Sequence, residues 1–189
     1  RELAGAINST RSNDLNTIEF FLTKEDVDYI KFHGIAKTAQ SVFVRLQTGV
    51  VQDMSDIDSL SVGALAVEND DFVADNNAPY VTDSVLNANS AHLQLTITEP
   101  IDSTVNVTSL TLLAGPNSVC KYSLTSPSSS ASLSLLNTIV TVQIGDKDMN
   151  AIRAMSCLAT DRATTYVAVT SSFAQDLAAS PKNIEAITE

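Results

Sequence analysis

With 189 residues and an apolar share of 44%, the chain has room for one domain with a real core, or one domain plus an arm. Its charged share of 17% lies below the usual figure of about 25%, and Ser, Thr and Asn fill the gap. A formal net charge of −11, with the Lys and Arg scattered singly, excludes the basic stripe of a nucleic-acid binder, and no apolar run approaches the roughly 18 residues of a membrane-spanning helix.

Residues Arg1–Asn16 are polar apart from Leu3, Ala4, Ala6 and Ile7, and read as an N-terminal arm or short helix. The chain starts at Arg1 without Met, as a processed or partial chain would, and shows no secretory-leader pattern. Thr17–Leu22 reads as a short strand. Thr23 then offers an N-cap, Glu25 and Asp26 place acids in the first turn, and Val27 and Ile30 supply an apolar face; Gly34 stops the helix. A second helical turn is expected at Ile35–Ala39. Ser41–Leu46 is a strand by its β-branched and aromatic content. Beyond Gly49 the pattern loosens through acidic Asp53–Asp58, small apolar Leu60–Val67 and the polar loop Glu68–Pro79. Tyr80–Leu86 fits a strand or a turn of helix.

The stretch Leu93–Ile144 carries the clearest signal. Leu93–Thr98 alternates apolar and polar residues strictly, and so does much of Leu136–Ile144, the mark of half-buried strands. Glu99-Pro100 ends the first of these, because proline cannot donate to a strand ladder. Gly115–Ser118 is a turn signal joining Leu110–Leu113 to Val119–Leu124 as a hairpin. Ser126–Ser130 reads as a surface loop. Met149, Ile152, Met155 and Leu158 place a helix over Asp148–Ala159, capped by Asp146 or Asp148. Thr164–Thr170 follows as a last strand, Phe173–Ala179 as a short helix at best, and the rest as a docking or linking tail.

The sequence offers little chemistry. His33 and His92 are the only histidines and read as structural, since no Gly-x-Ser-x-Gly or other nucleophile motif accompanies them. Cys120 and Cys157 are far apart and are expected to be free, buried thiols. With two Cys and two His widely separated, no zinc spacing exists. Asp53, Asp56 and Asp58, and more loosely Glu68, Asp70 and Asp75, form acidic loops of the oxygen-rich kind calcium prefers, without the glycine and distal Glu of an EF-hand. Gly63 and Gly115 are solitary, so no phosphate loop is present. Two Asn-x-Ser/Thr sequons, at Asn8 and Asn106, are expected by chance in so Asn- and Thr-rich a chain. No catalytic, cofactor-binding or metal residue is assigned, and no cofactor is expected.

One ordering carries a resemblance. The strand-like Ile18–Leu22 leads into a capped helix from Leu22 to Ile30. A strand and glycine turn follow (Val42–Gly49), then the acidic loops, the alternating strand Leu93–Thr98, the hairpin around Gly115 and the closing strand Leu136–Ile144. This order resembles the N-terminal attachment domain of bacteriophage tail fibre and tail-collar proteins. That family places a Leu-Thr-x-x-Gly helix before a Gly-Asp-Gly turn and a later Glu-x-Gly-Leu hairpin. Here Asp26 stands where the family has Gly, Gln47–Val50 replaces the Gly-Asp-Gly turn, and Leu110–Gly115 replaces the Glu-x-Gly-Leu. Ile187-Thr188-Glu189 is similar to the Ile-x-Glu sites cut in some large phage proheads.

The resulting expectation is a mainly β, antiparallel β-sandwich-like domain, with a helix near the N-terminus and one near the C-terminus. Its divisions are an arm at 1–16, a β-rich core at 17–147 and a helix, strand and tail at 148–189. The resemblance implies a non-enzymatic virion structural protein of a phage tail, neck or capsid, a homo-oligomer attached to neighbouring virion proteins, with neither nucleic acid nor membrane as partner. The alternatives are a secreted or surface adhesin-like binding module, calcium-dependent or not, with its ligand in the loops Asp53–Leu60 or Glu68–Pro79, and a hydrolase with an unrecognised carboxylate pair.

Overall fold

The computed structural model describes residues 2–3, 7–9, 19–68, 71–125 and 127–188. Most of the expected arm, together with Asp70, Ser126 and Glu189, lies outside the described residues.

The alternating stretches fold as predicted. Strands β5 (Val81–Asn87), β6 (His92–Ile97), β9 (Ser130–Leu133) and β10 (Ile139–Gln143) form an antiparallel sheet in the order β5-β6-β10-β9. In β6 the side chains of Leu93, Leu95 and Ile97 are buried, and opposite them Val140 and Val142 of β10 are too, with Leu95 facing Val140 and Leu93 facing Val142. Strands β7 (Leu110–Leu113), β8 (Lys121–Ser123) and β11 (Tyr166–Val169) form a second antiparallel sheet, ordered β11-β7-β8. Leu110 and Leu112 of β7 and Val169 of β11 enter the same apolar cluster as the first sheet, which makes the arrangement a sandwich with one shared core. Helix α2 (Asp146–Ala154) adds Met149 and Ile152 to that core.

The core extends to the end of the chain. Phe173 and Ile184 are fully buried, and backbone pairs tie Ile101 to Asp176, Gln175 to Asn183 and Val169 to Ile187. The tail therefore packs on its own domain rather than reaching out. No helix forms at Phe173–Ala179, because this backbone spends its hydrogen bonds on Asp102, Asn106 and Lys182 instead of on itself.

The N-terminal third stands apart from this cluster. β1 (Ile7–Ser9) pairs with β2 (Glu19–Phe21), helix α1 (Lys24–Phe32) follows, and β3 (Phe43–Leu46) pairs with β4 (Val62–Ala66). Thr23 caps α1 by accepting from the Asp26 N–H, and Gly34, at φ 65°, ends it in the left-handed conformation that glycine tolerates best. Ile35–Thr38 forms turns rather than a second helical turn, and a single 3-10 turn follows at Ala39–Ser41. No described residue before Val81 contributes to the shared core, whereas α2, β11 and the tail do, so the core crosses the expected division at 147/148.

Two further expectations are corrected. Cys120 and Cys157 are not free thiols but form a disulfide, with Cα atoms 6.4 Å apart. The fold brings the residue before β8 against the loop after α2, a proximity that sequence spacing could not reveal. Gly145, not Asp146 or Asp148, occupies the N-cap of α2, since a side chain there would collide with the Ser128 carbonyl.

Candidate functional site

The acidic loops named from sequence divide into two cases. Asp53 turns inward on its own loop, its Oδ1 accepting from the N–H groups of Ser55 and Ile57, and Asp58 accepts from the Gln52 amide. These side chains, with Asp56, do not converge on a common point. Asp75 behaves differently. It lies in the polar loop before β5 and meets two carboxylates that the sequence reading passed over, Glu99 and Asp176.

Each is placed by a different element. Asp75 is fixed locally, its Oδ1 accepting from the Asn77 N–H at 3.2 Å. Glu99 lies two residues past the end of β6, beside Pro100, and is 6% exposed. Asp176 sits in the tail, paired through the backbone with Ile101, which brings it beside Glu99. Asp176 is 3% exposed; its Oδ1 accepts from the N–H groups of Ala178 and Lys182, while its Oδ2 has no hydrogen-bond partner. One carboxylate oxygen from each of the three residues lies within 4.8 Å of those of the other two.

Lys31, in the last turn of α1, reaches into this group. Its Nζ donates to Asp75 Oδ2 at 2.8 Å and to Glu99 Oε2 at 2.5 Å. Burial pushes the Glu99 carboxyl above its ordinary value, reinforced by the charges of Asp75 and Asp176 and only partly offset by Lys31. Burial acts on Asp75 in the same direction, but the Lys31 ammonium and the Asn77 N–H outweigh it and hold the group below the usual range. Burial disfavours the charged form of Lys31, yet its two carboxylate partners raise its pKa. One ammonium faces three carboxylates, two of them buried.

A cleft of about 100 Å³ opens beside the cluster, lined by Lys31, Ile35, Ala74, Asp75, Glu99 and Leu177 among others. Its lining includes no aromatic ring and no histidine. The donor set is oxygen only, which suits a hard cation rather than zinc or copper.

The remaining candidates stay apart. His33 is the C-cap residue of α1, its ring 4.0 Å from that of Tyr29. His92 opens β6, between Asn87 and Gln143 on the neighbouring strands. Gly63 lies within β4 and Gly115 in the β7–β8 turn, neither at the N-terminus of a helix. Glu68 ends its described segment, and Asp70 lies outside the described residues. Glu99 and Asp176 carry no sequence signal of their own, since only the backbone pairing of Ile101 with Asp176 brings them together. No protein-family model, curated protein or solved structure matches the chain.

Proposed function

We propose that this chain is a β-sandwich contact module of the adhesin-like kind, working in an oxidising compartment and acting by binding rather than by catalysis. The observation that carries this reading is the Cys120–Cys157 disulfide, because reducing compartments keep such thiols unpaired. The carboxylate cluster supports it. The cluster lies where the N-terminal segment meets the sandwich, a position suited to fixing a junction. A hydrolase draws less support, since Asp75 and Glu99 are bridged by one ammonium and the cleft beside them has no aromatic surface for a sugar.

The virion-assembly reading keeps one specific support. Phe20, Phe21, Phe43, Val44, Leu60 and Leu65 are exposed apolar side chains concentrated in 19–66, the type of surface that subunits bury on assembly. Light scattering on the purified chain separates the two. The contact-module reading expects a monomer near 20.1 kDa. A discrete closed oligomer would transfer the weight to virion assembly.

A further inference from the structure

We propose that Asp75, Glu99 and Asp176 form a binding site for a divalent cation of the calcium class, which clasps the 71–79 loop to the sandwich. The inference deepens the contact-module reading by naming a ligand at that junction, and it rests on that reading for its biological use. Three features of the cluster point to a cation.

The first is geometry. Calcium binds oxygen ligands at about 2.3–2.6 Å, so two oxygens on one ion lie at most about 5 Å apart. The three carboxylates each offer an oxygen within 4.8 Å of the others, which fits one ion between them. The second is charge. Among the described residues Lys31 is the one cation paired with the cluster, a single ammonium against three carboxylates, while Lys37 lines the adjoining cleft without an ion pair to them; the excess is negative, the sign a divalent cation answers. The third is Asp176. A carboxylate oxygen that is buried and unpaired is costly, because desolvation is not repaid by a hydrogen bond. Asp176 Oδ2 is such an oxygen, on a side chain whose other oxygen is locked by two backbone N–H groups. Hydrogen bonds within the protein account for Oδ1 and leave Oδ2 for a ligand that brings positive charge. Asp75 and Glu99 also line the adjoining cleft, the side from which water would complete the coordination of a bound ion.

The ligand types argue for calcium among hard cations. Calcium tolerates irregular coordination and mixed protein and water oxygens, whereas magnesium requires near-ideal octahedral geometry and sheds water reluctantly. The Lys31 ammonium competes for two of the same carboxylates, so the site is expected to bind at the weaker, extracellular end of the calcium range.

The test uses the full chain, stripped with EDTA and titrated with calcium chloride by calorimetry, alongside thermal melts. Saturable binding is expected, with a rise in Tm of about 5–10 °C at a hundredfold excess over Kd. Magnesium should have a smaller effect, and sodium chloride at matched ionic strength should not reproduce the rise. Asp176→Asn should abolish both the binding heat and the calcium-dependent rise, while its Tm in EDTA stays at or above that of the unaltered chain, because a repelling charge has gone. Should Asp176→Asn fail to fold, Asp75→Asn, on a loop outside the core, makes the same comparison. Absence of saturable heat, an equal response to magnesium, or a calcium-dependent rise that survives the substitution would overturn the proposal. A monomeric, disulfide-bonded chain that ignores calcium sinks only this inference; a calcium-binding closed oligomer sinks only the contact-module reading.

Discussion

At the scale of single residues, Gly145 and Asp148 show why the end of the sandwich has this sequence. Asp148 is fully buried and accepts four hydrogen bonds: from the Tyr122 hydroxyl at 2.9 Å, the Thr125 N–H at 2.9 Å, and the Thr125 and Ser129 hydroxyls at 2.6 Å. Burial alone would push its carboxyl up, but the Ser129, Thr125 and Tyr122 donors together hold it below the ordinary range. Its folded value lies below its unfolded one. The stability it contributes is thus present above about pH 3.9 and is lost as pH falls through that value toward the folded one. Glu99 has the opposite sign. Its folded value is raised, so its ionisation costs stability as pH rises through the unfolded value of about 4.3 and then the folded one. The Asp148 network depends on Gly145, where a Cβ would lie 1.1 Å from the Ser128 carbonyl oxygen. Gly145→Ala must displace the loop that carries Ser129. The expected loss is about 2 kcal/mol or more in urea unfolding, and an unchanged midpoint would show that the loop yields freely.

At the scale of elements, the sequence was most legible where one face is buried and the other wet. β6 and β10 announce themselves by alternation because Leu93, Leu95, Val140 and Val142 point one way while Gln94 and Thr141 point the other. The first helix was legible through Thr23 and Gly34, whose roles are local. β9 was missed although Ala131 and Leu133 alternate with serines, since Ser-rich composition reads as loop. β4 was missed because Val-Gly-Ala-Leu-Ala has one β-branched residue, Val62, and no aromatic, and includes a glycine that weakens a strand signal. The helix expected at Phe173–Ala179 failed for a non-local reason, the pairing of Asp176 with Ile101. The disulfide is likewise non-local. It joins the turn before β8 to the segment after α2 and closes a loop spanning a sequence separation of 37. Cys120→Ser, with its partner also changed to Ser, should therefore lower stability by about 2–4 kcal/mol. The same loss should follow from reductant in the unaltered chain, and no loss in either would show that the bridge does not constrain the fold.

At the scale of the whole molecule, a sandwich with its core drawn from Leu93 to Ile184 carries an N-terminal segment whose described residues add nothing to that core. The site at their junction was illegible for the same reason the disulfide was. Asp75, Glu99 and Asp176 are distant in sequence, and only Asp75 stood among the acidic residues whose spacing suggested a cation ligand. Protection from hydrogen exchange tests this division most directly, because exchange reports local opening free energies along the chain. The account predicts lasting protection in β6, β7 and β10, rapid exchange through 19–68, and slowing confined to 71–79 and the backbone around Glu99 and Asp176 when calcium replaces EDTA. Protection of 19–68 equal to that of the sandwich, or a calcium effect absent from 71–79, would contradict it.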